Sequence, residues 1–377
     1  MIAWGTTYYL LAVFAESIVT DTGWPLASII GGLSLGLLMA GVVSPWAGRA
    51  IQRYGGRPVL SGSSVVLGLG LVSLALSRSL TVYLVSWVIL GLGMGIGLYD
   101  AAFATLGRLY GASARTYIAA LTLIAGFSST LCWPLSAYLI QHYGWRASCV
   151  AYAALHLGLS LALHLLLVPS AKSAPVDEQM RMAPSLARSE TSQFYVLAIV
   201  LTLIAAISAI MSVFIVTILR QTGADSTSAI WMASMVGPSQ VGARLIEMSF
   251  GHRYHPIWTL ICTCVLVTLG ISLLPIGGPF AMMAVIAYGA GIGIAWIARG
   301  TVPLALFGPD EYAIRMGRLA FPSLIAQAAA PTFGALLLNS YGLRTILIML
   351  FFGALLALLA TLWLQRVTLA NKSPPLP

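Results

Sequence analysis

Twelve apolar runs, each close to the length needed to cross a bilayer, alternate with short polar breaks along this chain. The runs cover residues 2–20, 25–47, 58–77, 81–107, 115–139, 146–168, 193–219, 226–248, 257–275, 279–306, 316–338 and 344–365. In hydrocarbon every backbone N–H and C=O must find its partner within the protein, so runs of this kind form helices. Charged residues make up only 8% of the chain, against about 25% in an ordinary soluble domain. The expected fold is an all-α membrane protein with twelve transmembrane helices in two pseudo-symmetric six-helix bundles. The bundles are expected at 1–168 and 193–377. A cytoplasmic linker at 169–192 carries Lys172, Asp177, Glu178, Arg181, Arg188 and Glu190.

The net charge of +9 does not point to a nucleic-acid partner, because the basic residues sit in the breaks between runs and form no basic face. They act instead as topology signals. With the N-terminus placed inside, thirteen Lys and Arg residues fall in inner breaks and the tail. Four, Arg78, Arg146, Arg220 and Arg344, fall in outer breaks. Both termini are therefore expected in the cytoplasm, and the expected location is a bacterial inner (plasma) membrane. The opening run lacks a basic n-region, so it does not read as a cleavable signal peptide. It reads as starting inside the first helix, with a preceding tail missing. Cys132, Cys149, Cys262 and Cys264 all lie in apolar runs and are expected to be packing residues, with no metal site and no cofactor.

Internal repetition supports the two halves. Tyr143-Gly-Trp-Arg146 recurs as Tyr341-Gly-Leu-Arg344, an offset of 341 − 143 = 198. Gly95-Ile-Gly97 recurs as Gly291-Ile-Gly293, an offset of 291 − 95 = 196. Parallel repeats of this sort occur in secondary transporters.

The break after the second run reads Gly48-Arg-Ala-Ile-Gln52-Arg53-Tyr-Gly55-Gly-Arg57. It resembles the cytoplasmic signature of the major facilitator superfamily, Gly-x-x-x-Asp-Arg-x-Gly-Arg-Arg, with Gln52 where the family has an acid. The run Ser44-Pro45-Trp-Ala-Gly48 and Pro134 followed by Gly144-Trp145-Arg146 resemble the monocarboxylate-transporter-like and oxalate/formate-type branches. Gln240-Val-Gly-Ala-Arg244 is similar to the Asp-x-x-x-Arg pair of monocarboxylate porters, with the Arg present and the Asp replaced. The resemblance implies gating or ion-coupling roles for Gln52, Arg53 and Arg57. It implies substrate-binding roles for Arg244 and Gln240.

Ionisable side chains inside spans cost roughly 2.5–3.5 kcal/mol each at mid-membrane, so each needs a reason. Arg299 lies in the tenth run and Asp100 in the fourth, each about seven residues, or ~10 Å, from the inner end. Arg299 is expected to bind an anionic substrate or close the inner gate, and Asp100 to pair with it across the halves. Arg244 also reads as a gate or headgroup arginine with Glu247 at i+3 as partner. Glu16, in the first run, is a candidate for ion coupling. Tyr8, Tyr9, Tyr99, Trp133 and Trp296 are candidate lining residues, Tyr8 and Trp296 foremost. His156 and His164, eight apart, are expected to be packing residues.

The expected function is secondary active transport of a small organic anion such as a monocarboxylate. The expected mechanism is alternating access, driven by an ion gradient with the proton as coupling ion. The partners are the substrate, the coupling ion and the lipid bilayer, and the chain is expected to be a monomer and not an enzyme. Two alternatives stay open: proton-coupled efflux of a drug-like cationic or neutral compound, and a transporter-like receptor without flux.

Overall fold

The structure, a computed structural model, describes residues 1–170 and 188–370. Most of the expected linker, with Lys172, Asp177, Glu178 and Arg181, therefore lies outside the described residues. Among the described residues every regular element is helical. In chain order they are α1 (Ile2–Gly5), α2 (Leu11–Thr22), α3 (Leu26–Tyr54), α4 (Gly56–Ala75), α5 (Leu80–Gly97), α6 (Tyr99–Tyr110), α7 (Ala114–Gly126) and α8 (Ser128–Ala154). A π-turn at Leu155–Ser160 leads into α9 (Leu161–Leu167). Then follow α10 (Arg188–Gln221), α11 (Ser226–Ser234), α12 (Val236–Phe250), α13 (Pro256–Leu273), α14 (Pro279–Phe307) and α15 (Tyr312–Ala370).

Among the described residues seven helical stretches are long and apolar enough to cross a membrane, which makes the chain a multi-pass membrane protein. Two of them, Leu80–Leu167 at 88 residues and Tyr312–Leu369 at 58, are far longer than one crossing requires. Each contains a glycine whose backbone leaves the helix, Gly144 (φ 77, ψ 165) in α8 and Gly342 (φ 77, ψ 177) in α15. A positive φ of this size is readily adopted only by glycine. These are the glycines of the repeated Tyr-Gly-x-Arg turns, so the repeat is one of local conformation as well as of sequence. Elsewhere the helix starts follow ordinary capping chemistry. Asp225 caps α11 by accepting from Thr227 N and Ser228 N, each at 3.0 Å, and Pro256 opens α13 behind the His255 cap.

The chain divides into two compact units. The first joins Met1–Ala114 and the segment starting at Ile124 with Pro309–Ala328. The second joins Arg115–Leu123 with the segment ending at Gly308 and the segment starting at Ala329. Each unit thus includes a short stretch from the other half of the sequence.

Inside each unit the glycine runs do the same work. In the first, Gly91 and Gly95 of α5 lie against the backbone of α3 at Gly36 and Ala40, while Gly93 faces Leu67 of α4. In the second, Gly289 and Gly293 of α14 lie against α12 at Val236 and Gln240, while Gly291 faces Val267 of α13. A side chain at any of these positions would force the helices apart. Close backbone approach is how helices gain van der Waals contact where lipid removes the hydrophobic drive. This packing pairs Gly95 with Gly293, an offset of 293 − 95 = 198. The Gly-Ile-Gly match at 196 is therefore two residues out of structural register, and the Tyr-Gly-x-Arg offset is the correct one. Trp87 and Tyr83 of α5 are fully buried in the first unit. There the Tyr83 hydroxyl donates to the Ile29 carbonyl at 2.9 Å.

Candidate functional site

The first and fourth apolar runs are not continuous helices. Residues 6–10 interrupt the first, between α1 and α2. Leu98, with φ −85 and ψ −164, interrupts the fourth, between α5 and α6. The matching runs in the second unit, α10 and α14, are unbroken. Thr6-Thr7-Tyr8-Tyr9 has the chemistry for such an interruption, since β-branched and aromatic residues are weak helix formers. The Thr6 hydroxyl donates to the Ile2 carbonyl at 3.0 Å and the Thr7 hydroxyl to the Ala3 carbonyl.

The two interruptions meet at an aromatic cluster. The Trp4 ring lies 4.7 Å from Tyr8, 5.9 Å from Tyr9 and 5.0 Å from Tyr99, centroid to centroid. Tyr9 in turn meets Trp133 of α8 at 6.0 Å. Four of the candidate lining residues, Tyr8, Tyr9, Tyr99 and Trp133, are thus gathered in the first unit around Trp4. Asp100 follows Tyr99 in the first turn of α6, where the free N–H groups of a helix N-terminus favour a carboxylate.

Arg299 is buried, at 5% exposure, about two turns before the end of α14. Its guanidinium carbon lies 5.8 Å from the Trp296 ring centroid, within cation–π range. Pro303, four residues on, has no N–H to offer the Arg299 carbonyl. At an offset of 198, Arg299 corresponds to Ala101, next to Asp100. The two charges therefore occupy almost equivalent positions, but in different units.

Arg244 is also buried, at 3% exposure. Its Nε donates to the Gly293 carbonyl of α14 at 2.9 Å and its Nη1 to the Thr122 carbonyl of α7 at 2.9 Å. Gln240, one turn earlier on α12, is half-buried where α12 crosses Gly293. Glu247 accepts from the Thr259 hydroxyl at 2.7 Å and pairs with Arg115 at 3.7 Å. Arg115 also donates to the Tyr254 carbonyl at 2.7 Å. Around Arg244 the second unit therefore holds a polar clamp between α7, α12 and α14.

A corresponding clamp lies in the first unit. Gln52 Nε2 donates to the Asp310 carbonyl at 2.7 Å, and Arg108 Nη1 to the Ile51 carbonyl at 2.6 Å. Gly48 of α3 and Gly317 of α15 allow the two backbones to touch, Gly48 against the Ala313 carbonyl and Gly317 against the Ser44 carbonyl. Arg53 is exposed beside the Tyr54 ring, and Arg57 is half-buried in the first turn of α4. Glu16 is exposed on α2.

The two histidines do more than fill space. His156 Nε2 lies 2.8 Å from the Thr6 hydroxyl, and His164 Nδ1 lies 2.9 Å from the Ser64 hydroxyl.

Curated relatives and solved structures resemble the chain at low identity. Monocarboxylate transporter 4 of Rattus norvegicus is 26% identical over 235 residues, covering 60% of this chain and 48% of the relative. Monocarboxylate transporter 13 of Bos taurus is 27% identical over 276 residues, covering 70% of this chain and 64% of the relative. The chain thus spans about half to two thirds of the length of these relatives. The proton:xylose symporter XylE, bound to 6-bromo-6-deoxy-D-glucose, superposes with a TM-score of 0.70 at 13% identity, over 97% of this chain and 93% of that one. The human organic anion transporter MFSD10 (TETRAN) gives 0.64 at 16% identity, over 93% of this chain and 88% of that one. Both likenesses show the fold alone. The family model described as Major Facilitator Superfamily matches residues 1–206, more than half of the sequence, and the chain belongs to that superfamily.

Proposed function

We propose that this chain is a secondary active transporter of a small organic anion, a monocarboxylate being the leading class, working by alternating access with the proton as coupling ion. The observation that carries the reading is Arg299, a guanidinium at 5% exposure about two turns from the end of an apolar helix. A fixed positive charge at such depth costs free energy unless a negative partner offsets it. The planar guanidinium fork matches a carboxylate in two-point geometry. The curated relatives at 26–27% identity are monocarboxylate transporters, which favours the same substrate class.

In this reading Gly144 separates a crossing that ends in α8 from one that continues through the π-turn into α9, and Gly342 divides α15 into two crossings. Twelve transmembrane helices result, in bundles 1–168 and 193–377, with both termini in the cytoplasm of a bacterial inner membrane. The Gln52 and Arg244 clamps act as gate elements, together with Arg53 and Arg57. Trp296 lies with Arg299 at the substrate. Gln240 supports the substrate position through α14.

A second reading has its own observation. The cluster of Trp4, Tyr8, Tyr9, Tyr99 and Trp133 beside Asp100 is suited to a cationic or neutral aromatic compound. A thermal-shift screen of monocarboxylates and organic cations against wild type and Arg299→Ala separates the two. Stabilisation by monocarboxylates, lost in Arg299→Ala, is the expected result. Stabilisation by cations alone, unchanged in the variant, would overturn the anion reading in favour of the second.

A further inference from the structure

We propose that His156 is a proton-binding site, with the proton taken up on Nδ1. The inference deepens the transport reading by naming where the coupling proton binds, and it starts from a hydrogen-bond count. The Thr6 hydroxyl has one hydrogen and lies within bonding distance of two groups, the Ile2 carbonyl at 3.0 Å and His156 Nε2 at 2.8 Å. A carbonyl can only accept. The hydroxyl hydrogen is assigned to Ile2, as Thr7 gives its own to Ala3, and His156 Nε2 is then the donor to Thr6. In a neutral imidazole this fixes the tautomer, with the hydrogen on Nε2 and a bare lone pair on Nδ1. Among the described residues Nδ1 has no hydrogen-bond partner, in a side chain only 1% exposed. Nδ1 then carries the lone pair that takes up a proton, and burial works against the charged form that results.

The surroundings give that proton a mechanical consequence. His156 lies on the π-turn Leu155–Ser160, a widened turn of a kind often found at functional sites. Its partner Thr6 begins the interruption that places Tyr8 and Tyr9 in the aromatic cluster. The π-turn packs against α1, α4, α8 and α9. On these elements the titratable side chain acting electrostatically on the ring is His164 of α9. Tyr152, on α8, has its hydroxyl bonded to Ser136 at 2.6 Å. Arg57, on α4, is eleven residues from Gly68, where α4 meets Leu157, or about 16 Å along the helix. No carboxylate is among these neighbours. A proton on Nδ1 therefore creates a buried cation that the present packing does not neutralise, and the π-turn and residues 6–10 must rearrange to stabilise it. Proton occupancy at His156 is in this way linked to the position of Tyr8 and Tyr9.

Two measurements on the full chain test the site. The first is side-chain 15N NMR of histidine-labelled protein in nanodiscs, with His156 assigned among the five histidines by His156→Gln. The expected spectrum shows hydrogen on Nε2 and a bare Nδ1, converting to the doubly protonated ring as pH falls. A hydrogen on Nδ1, or a ring unchanged down to the pH of unfolding, overturns the proposal without reference to any substrate. The second uses proteoliposomes with labelled lactate as probe. His156→Gln, whose amide can still donate to Thr6, is expected to keep lactate counterflow within about twofold of wild type and to lose pH-driven accumulation about tenfold. Retention of both, or loss of both together, counts against a proton site. If wild type moves no lactate in either assay, the substrate reading fails, and the NMR titration alone decides the proton site.

Discussion

Gln52 and Asp310 stand 258 residues apart in sequence, yet the Gln52 side-chain amide donates to the Asp310 carbonyl at 2.7 Å. The contact ties the end of α3 to the approach to α15 within one compact unit. It also gives the altered signature position a chemical reason. An amide brings an N–H to a carbonyl, whereas a carboxylate at the same place would set two acceptors against each other.

Restoring the family's acidic character should therefore harm this chain. Gln52→Ala is expected to cost about 1 kcal/mol, the worth of one neutral hydrogen bond. Gln52→Glu is expected to cost more, because it adds repulsion to the lost bond. Melting temperatures of the three proteins in one detergent check the order. A Gln52→Glu protein as stable as wild type would mean that the contact has no such role.

Arg244 is expected to act on stability before it acts on substrate. Its guanidinium serves two carbonyls on two other helices, and charge-assisted bonds of this kind are each worth about 1.5–3 kcal/mol. Arg244→Ala should therefore lower the melting temperature of the ligand-free protein. Arg244→Lys should recover only part of it, since an ammonium lacks the fork that reaches two fixed acceptors. If Arg244→Ala instead leaves the ligand-free protein unchanged and abolishes stabilisation by monocarboxylates, Arg244 is a substrate ligand.

Much of this architecture is legible in the residues themselves, and the unread part has a physical cause. The Tyr-Gly-x-Arg turns are readable because positive φ selects glycine, and a local rule needs only local sequence. The glycine run of α5 reads as a close-packing face for the same reason. What meets that face depends on partners some 50 residues away, and this is why a three-residue match misplaced the repeat by two positions. The interruption at residues 6–10 contains neither glycine nor proline, the usual marks of a break. It is held open by hydroxyl bonds and by His156, from a run 150 residues later. Arg244 was readable as a buried charge with a purpose. Its carbonyl partners, belonging to helices distant in sequence, were not.

The contact of Gly48 with Gly317's helix yields a steric prediction. A methyl group at Gly48 would overlap the Ala313 carbonyl, and one at Gly317 the Ser44 carbonyl, so backbone must move in either case. Overpacking of this kind costs about 1–3 kcal/mol. Gly48→Ala and Gly317→Ala should each destabilise, and the double variant should cost less than the sum, because the first methyl already separates α3 from α15. Strictly additive losses in thermal melts would show that the two glycines do not share one contact.

Asp21 supplies a pH dependence outside the spans. Arg146 Nη1 donates to its carboxylate, and Trp145 Nε1 donates to the same oxygen at 3.0 Å. The Arg146 bond, then the Trp145 bond, hold its pKa below the usual carboxylate value. A depressed folded-state pKa means that the unfolded chain takes up the proton first. The stabilisation is therefore complete above the ordinary carboxylate range, at about pH 4, and is lost as pH falls through the depressed value. The pair is largely exposed, so its contribution is small and weakens with salt. The melting temperature of wild type should exceed that of Asp21→Asn by a constant margin at pH 7 and pH 5, and the margin should shrink below about pH 4 at low ionic strength. A margin that stays the same at acid pH would remove the ion pair as its cause.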